Sequence, residues 1–190
     1  MRVTAEREER AKSKSAGRIV LVGFMGAGKT TVGRLLSQKV RWRFIDLDDE
    51  IVRREQRSIA EIFQVHGEQY FRRQESATLS SVLQSTAPPY VLAVGGGAFI
   101  YPGNADLLRQ PGIRTIFLDA PVEELRQRCA AGGAERPLAR DANLFRQLYE
   151  ARRGSYMTAE LRVETGGRTP QQVVEHIVNS VFQGSVGGME

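Results

Sequence analysis

The octapeptide Gly23-Phe24-Met25-Gly26-Ala27-Gly28-Lys29-Thr30 constrains this chain more than any other stretch. It fits G-x-x-x-x-G-K-S/T, the pattern of a phosphate-binding loop. Each residue type has a physical job there. Gly23, Gly26 and Gly28 can take positive φ and leave room for a phosphate against the backbone. The loop's N–H groups then face inward as an anion nest, backed by the positive end of the following helix. Lys29 adds a mobile positive charge for β- and γ-phosphates, and Thr30 offers a hydroxyl to a magnesium ion. The flanks agree with this reading. Arg18-Ile19-Val20-Leu21-Val22 is a β-branched run that predicts a buried strand. Val32, Leu35, Leu36 and Val40 recur at a helical period just after the loop.

The rest of the chain offers a domain to carry that loop. Its 190 residues, 41% hydrophobic and 26% charged, suit one globular domain with a proper core. No run approaches a membrane span, and the first residues lack the apolar core of a secretory signal, so a cytoplasmic protein is expected. Cys129 is the only cysteine, which excludes an internal disulfide and a cysteine metal cluster. With only His66 and His176 beside it, a zinc site is not expected. Cys129 reads as a helix residue, not as a catalytic thiol, because no histidine lies near it in sequence. The net charge is +5; residues 1–16 hold five Lys or Arg against three Glu, so +2 arises there and +3 elsewhere. That excess is mild. It fits an anionic small-molecule substrate, whereas nucleic acid would call for a basic stripe interleaved with aromatics, which the chain lacks.

Strand and helix signals alternate between two polar ends, residues 1–16 and 184–190, which read as flexible tails. Strands are expected at 18–22, 43–46, 90–94, 113–118 and 161–164. Helices are expected at 29–40, 48–56, 59–65, 68–84, 121–131, 143–157 and 170–182. Pro121 and Pro170 suit first helical turns, and Ser58 to Glu61 has the spacing of a capping box. Such alternation over 17–183 predicts a single α/β domain, a parallel sheet with helices on both faces. Ligands bind beyond the carboxyl ends of strands in sheets of this kind, so strand ends are the places to search.

Four strand ends stand out. The first opens into the phosphate loop. The second runs into Asp46-Leu47-Asp48-Asp49. A carboxylate there can hold a metal through water or take a proton from an attacking hydroxyl. The other role for these acids is to cap the next helix, which Asp48 or Asp49 can do; three acids in four positions exceed what a cap needs, so Asp46 is read as functional. The third end is Gly95-Gly96-Gly97, bare backbone that admits close approach of a ligand, or a flexible turn. The fourth is Asp119. Arg72 and Arg73 lie on a helix; either can grip a carboxylate in two bonds, or simply face solvent. Gly132 to Arg140 joins two helices, and its glycines around Arg136 suit a mobile lid, with a polar connection as the alternative.

Taken together, these residues resemble the shikimate kinase family. The likeness runs from about Gly17 to Phe182. It rests on the phosphate loop, on Phe44-Ile45-Asp46-Leu47-Asp48, on Ser58-Ile59-Ala60-Glu61-Ile62-Phe63, and on G-E-x-x-F-R-x-x-E from Gly67 to Glu75. It continues through Gly95-Gly96-Gly97-Ala98, Arg136-Pro137-Leu138 and Arg152. The chain departs from the common pattern at Ala139, where a second leucine is usual, and at Gly154-Ser155 before Tyr156.

The resemblance implies a three-layer α/β/α fold with a five-stranded parallel sheet. The fold class is P-loop NTPase, nucleoside-monophosphate-kinase-like, with a mobile lid at about 130–142. It implies ATP-dependent phosphorylation of shikimate at its 3-hydroxyl, giving 3-phosphoshikimate and ADP on the route to chorismate and aromatic amino acids. It also implies ATP and Mg²⁺ as cofactors and a cytoplasmic monomer without nucleic-acid or membrane partners. Gly26, Ala27, Gly28, Lys29, Thr30 and Thr31 would bind the phosphates. Thr30 and Asp46 would hold the metal, with Lys29, Asp46 and Arg136 as the catalytic groups and Arg168 beside adenine. Asp48, Arg72, Gly95, Gly96, Gly97 and Arg152 would form the shikimate pocket. Arg153 is the alternative carboxylate ligand, and the spacing to Tyr156 favours Arg152. Another P-loop small-molecule kinase, such as a gluconate kinase, or a catalytically silent kinase-like binding module are the competing readings.

Overall fold

The apolar run at 18–22 forms the middle of the molecule. In the computed structural model, which describes residues 17–131 and 141–183, it is strand β1, Arg18–Val22. Ile19, Val20, Leu21 and Val22 are at most 1% exposed. Four more strands complete one sheet: β2 (Arg43–Asp46), β3 (Tyr90–Ala93), β4 (Arg114–Asp119) and β5 (Leu161–Glu164), in the order β2-β3-β1-β4-β5. All four pairings are parallel. Both faces of β1 and β3 are buried, as helical crossovers require, and so their sequences are continuously apolar instead of alternating.

The helices are α1 (Lys29–Val40), α2 (Leu47–Glu55), α3 (Ile59–Ser85), α4 (Pro102–Leu108), α5 (Val122–Ala131), α6 (Ala142–Tyr156) and α7 (Pro170–Val178). The Ser58–Glu61 capping box is formed: Ser58 Oγ accepts from the Glu61 N–H, and the Glu61 carboxylate accepts from the Ser58 N–H. The two helices expected over 59–84 run on as α3, with Gly67 at φ 76°, ψ 175° breaking the helix between them. Helix α4 has no counterpart among the expected elements. Its seven residues include Gly103 and Asn104, poor helix formers that hide the signal, and burial of Ala105 and Leu108 holds it in place. The last helix ends at Val178 and gives way to a π-helical turn over Asn179–Gln183. The expected tails (1–16 and 184–190) and most of the lid, with Arg136, lie outside the described residues. No helix among the described residues is long and apolar enough to cross a membrane.

Candidate active site

The strand ends converge on one cleft of about 780 Å³. Its walls include the phosphate loop, Asp46 and Asp48 after β2, Gly95 and Gly96 after β3, and Arg128 and Arg168 at the far end.

The phosphate loop has the form that its glycines require. Gly26 and Gly28 sit at φ 82° and 86°, where a side chain would be strained. Gly26 has a second reason to be glycine: a Cβ there would fall 2.4 Å from the Leu125 carbonyl oxygen and 2.9 Å from Cys129 Sγ. Helix α1 starts directly at Lys29, so its first N–H groups face the cleft. The Lys29 ammonium donates to the Gly23 carbonyl at 2.8 Å and to the Phe24 carbonyl at 3.1 Å, folding over the loop it serves.

Asp46 joins two elements. Its Oδ2 accepts from Thr30 Oγ1 at 2.8 Å, and its Oδ1 accepts from the Asp48 N–H at 3.1 Å. The cap of α2 therefore falls on Asp46, not on Asp48 or Asp49 as the residue types allowed. The same carboxylate both caps and reaches the phosphate loop. Its partner Thr30 is exposed to the cleft. A hydroxyl and a carboxylate held together form a hard-oxygen donor pair of the kind that a magnesium ion takes, with phosphate and water completing its shell. No cluster of three His, Cys, Asp or Glu suited to a metal occurs among the described residues.

The glycine turn after β3 is ringed by side chains. A Cβ on Gly95 would lie 2.7 Å from Glu75 Oε1 and 3.3 Å from Asp48 Oδ1. One on Gly97 would lie 2.3 Å from Arg72 Nη1. Gly95 and Gly97 thus leave the room that Asp48, Glu75 and Arg72 occupy. Gly96 faces two ways. A Cβ on it would stand 3.7 Å from both the Gly23 carbonyl oxygen and the Tyr156 hydroxyl, and that hydroxyl donates to the Gly96 carbonyl.

Arg72 is held on both edges. Its Nη1 donates to Glu75 at 2.8 Å, and its Nη2 and Nε donate to Glu68 at 3.1 and 3.3 Å. Glu75 is 1% exposed, and its Oε1 has no hydrogen-bond partner. Burial pushes its carboxyl above the usual range; Arg72 and Arg152 pull it back, and Asp48 pushes it further up. Burial likewise raises the Tyr156 hydroxyl well above its ordinary value, so it stays a donor.

The two candidate arginines of α6 part company. Arg153 Nη2 donates to Asp119 Oδ2 at 2.8 Å, and its Nε donates to the Tyr149 hydroxyl at 3.0 Å. Arg152 instead lies over the Phe24 ring, 6.0 Å from its centroid, close enough to Tyr156 to act on its hydroxyl. The open cleft reaches Asp48, Gly95 and Gly96, while Arg72, Gly97 and Arg152 stand just outside its walls.

At the other end, Arg128 donates to the Thr165 carbonyl at 2.8 Å and pairs with Glu124, which also accepts from the Gly167 N–H. Arg168 is exposed on the same rim. Glu75 is the group that residue-by-residue reading passed over. Its signal was available: an acid three positions after Arg72 on a helix, the spacing of a side-chain pair.

Comparison with known proteins points to one family. The family profile described as shikimate kinase matches residues 25–182. A shikimate kinase of Geobacter sulfurreducens is 42% identical over 166 residues, covering 86% of this chain and 90% of the relative. One of Persephonella marina is 38% identical over 164 residues, covering 86% and 98%. The solved structure of Acinetobacter baumannii shikimate kinase in complex with shikimate superposes with a TM-score of 0.83 at 32% identity, covering 93% of this chain and 99% of that one. A gluconokinase of Sinorhizobium meliloti superposes at 0.61 with 16% identity, a likeness of fold alone.

Proposed function

The chain belongs to the shikimate kinase family, and from that premise we propose how its cleft carries out the family's phosphoryl transfer from ATP to shikimate. The observation that carries the assignment of roles is Gly96, which lies between the phosphate loop, whose Gly23 carbonyl a Cβ on it would approach to 3.7 Å, and α6, whose Tyr156 hydroxyl donates to its carbonyl. A nucleotide and a ring acid bound on either side of it would have their reacting atoms side by side.

ATP lays its phosphates on the N–H groups of Gly26, Ala27, Gly28, Lys29, Thr30 and Thr31, and its base reaches the rim where Arg168 stands. Lys29 gives up the two carbonyls it now holds and turns to the β- and γ-phosphates. Thr30 and Asp46 would hold Mg²⁺, whose charge would offset that of the phosphates. The shikimate carboxylate takes the Nε–Nη2 edge of Arg72 that Glu68 now occupies, and Arg152 closes on it from α6. Asp48 accepts from the ring hydroxyls, and Gly95, Gly96 and Gly97 admit the ring against bare backbone. The 3-hydroxyl then faces the γ-phosphate in line, with Asp46 placed to take its proton. Arg136 neutralises charge on the transferred group. Positioning and charge neutralisation supply most of the acceleration in reactions of this type. A monomer acting in the cytoplasm completes the proposal.

An ADP-release assay with shikimate and Mg-ATP tests it. Turnover is expected with shikimate and not with gluconate, and silence with shikimate would overturn it. In the same assay Arg72→Ala should raise the shikimate KM roughly a hundredfold, the cost of losing one partner of a buried charge pair, and leave ATP affinity unchanged. Equal loss of both would show that Arg72 does not belong to the acid end.

A further inference from the structure

Asp119, at the end of β4, is the one prominent strand end that the reaction does not use. It is 3% exposed and heavily engaged. Oδ1 accepts from the Tyr149 hydroxyl at 2.9 Å, and Oδ2 accepts from Arg153 Nη2 at 2.8 Å and from Arg162 Nε at 2.9 Å. Its main-chain carbonyl accepts from the Thr165 N–H at 2.6 Å. Two of these partners, Tyr149 and Arg153, lie one turn apart on α6, and Arg153 also bonds to the Tyr149 hydroxyl.

Helix α6 serves the cleft with its other groups. Phe145 and Tyr149 meet the Phe24 ring edge-on at 5.0 and 5.6 Å, Arg152 lies over that ring, and Tyr156 donates to Gly96. Consecutive residues on a helix project about 100° apart. Arg152 and Arg153 therefore behave as two spokes of one wheel. A rotation of the last turn that releases Arg153 from Asp119 swings Arg152 off Phe24 and draws Tyr156 from Gly96.

We propose that Arg153 is a positioning residue for the acid end: clamped to Asp119 and Tyr149, it sets the rotation of the last turn of α6 and so places Arg152 and Tyr156. The inference rests on the reading of Arg152 as a ligand of the substrate carboxylate. It assigns the second arginine of the pair a task distinct from binding.

Steady-state kinetics of the full chain, with thermal midpoints measured alongside, test it. In Arg153→Met the carboxylate of Asp119 keeps Arg162 and Tyr149, so the fold should hold. Its shikimate KM should rise roughly three- to tenfold, with the ATP KM unchanged, because only the acid end is displaced. Arg153→Lys keeps a charge on Asp119 but has no fork to reach Tyr149 as well, and should recover part of the loss. Arg152→Ala, run in parallel, should raise the shikimate KM more than either. An unchanged shikimate KM in Arg153→Met, or a parallel rise in both KM values with a lowered midpoint, overturns the positioning role. No change in Arg152→Ala overturns the reading beneath it, and this inference with it. If Arg153→Met does not fold, Arg153→Lys decides alone: a raised shikimate KM upholds the role and a normal one ends it.

Discussion

The two ends of the cleft are made in opposite ways. The end proposed for the nucleotide is main chain: one glycine loop, continuous in sequence, running into the first turn of α1. The end proposed for shikimate is side chain: Asp48 from α2, Arg72 and Glu75 from α3, Arg152 and Tyr156 from α6, gathered on the turn after β3. A main-chain site is specified by where backbone can go. A side-chain site is specified by what holds each group, as Glu68 and Glu75 hold Arg72 and Asp119 holds Arg153. The first kind fails when the backbone is obstructed, the second when a support is lost.

That contrast can be broken at several points. The largest effect should come from Lys29→Met, which removes charge from the phosphates at the moment of transfer. We expect kcat to fall by roughly a thousandfold or more, while calorimetry finds shikimate binding intact. Loss of shikimate binding as well would mean that the ends are not separable. Two glycines sharpen the comparison. Gly26→Ala strains a positive φ and meets the Leu125 carbonyl, a main-chain atom that cannot step aside. It should cost about 2 kcal/mol or more in stability, read by chemical denaturation. Gly97→Ala meets only the tip of Arg72, which can move. Its stability should fall less than that of Gly26→Ala, because Arg72 can shift at the expense of its bond to Glu75, while the shikimate KM rises by roughly tenfold, the expected effect of a displaced guanidinium.

The smallest effect concerns pH. Burial raises the Glu75 carboxyl, so the folded protein holds its proton to higher pH than the unfolded chain does. Where the native state binds more protons, stability falls as pH rises. The contribution of Glu75 is therefore best below the ordinary glutamate value of 4.5 and declines above it, up to the raised native value. Denaturation midpoints of the parent protein relative to Glu75→Gln should drop as pH is taken from 4 to 7. A difference that is flat or rises would show that the Glu75 carboxyl is not desolvated in the folded protein.

What the sequence made legible follows the same division. The loop, its strand and its helix were readable because local pattern and local structure coincide over residues 18–40. Strands β1, β3 and β4 were readable because parallel strands buried on both faces are plainly apolar, whereas the edge strands β2 and β5 are only partly buried and carry charged residues. Helix α4 was not, since seven residues with a glycine carry no period and depend on packing. Asp46 as the cap of α2 was hidden among three acids, for residue type does not tell which carboxylate turns back to the Asp48 N–H. The choice between Arg152 and Arg153 lay in the spacing to Tyr156 only as a preference; what separates them is Asp119, 34 residues away. Glu75 was visible as a helical neighbour of Arg72, but its burial against Gly95 belongs to the fold.

The close fit behind the phosphate loop gives the lone thiol of the chain a meaning unrelated to its reactivity. Cys129 is 5% exposed and backs directly onto Gly26. A sulfur on one carbon fills that niche, and a branched or longer side chain at 129 would press the loop from the rear and narrow the seat of the phosphates. Positions 26 and 129 therefore form a pair, and a larger side chain at one leaves no room for the other.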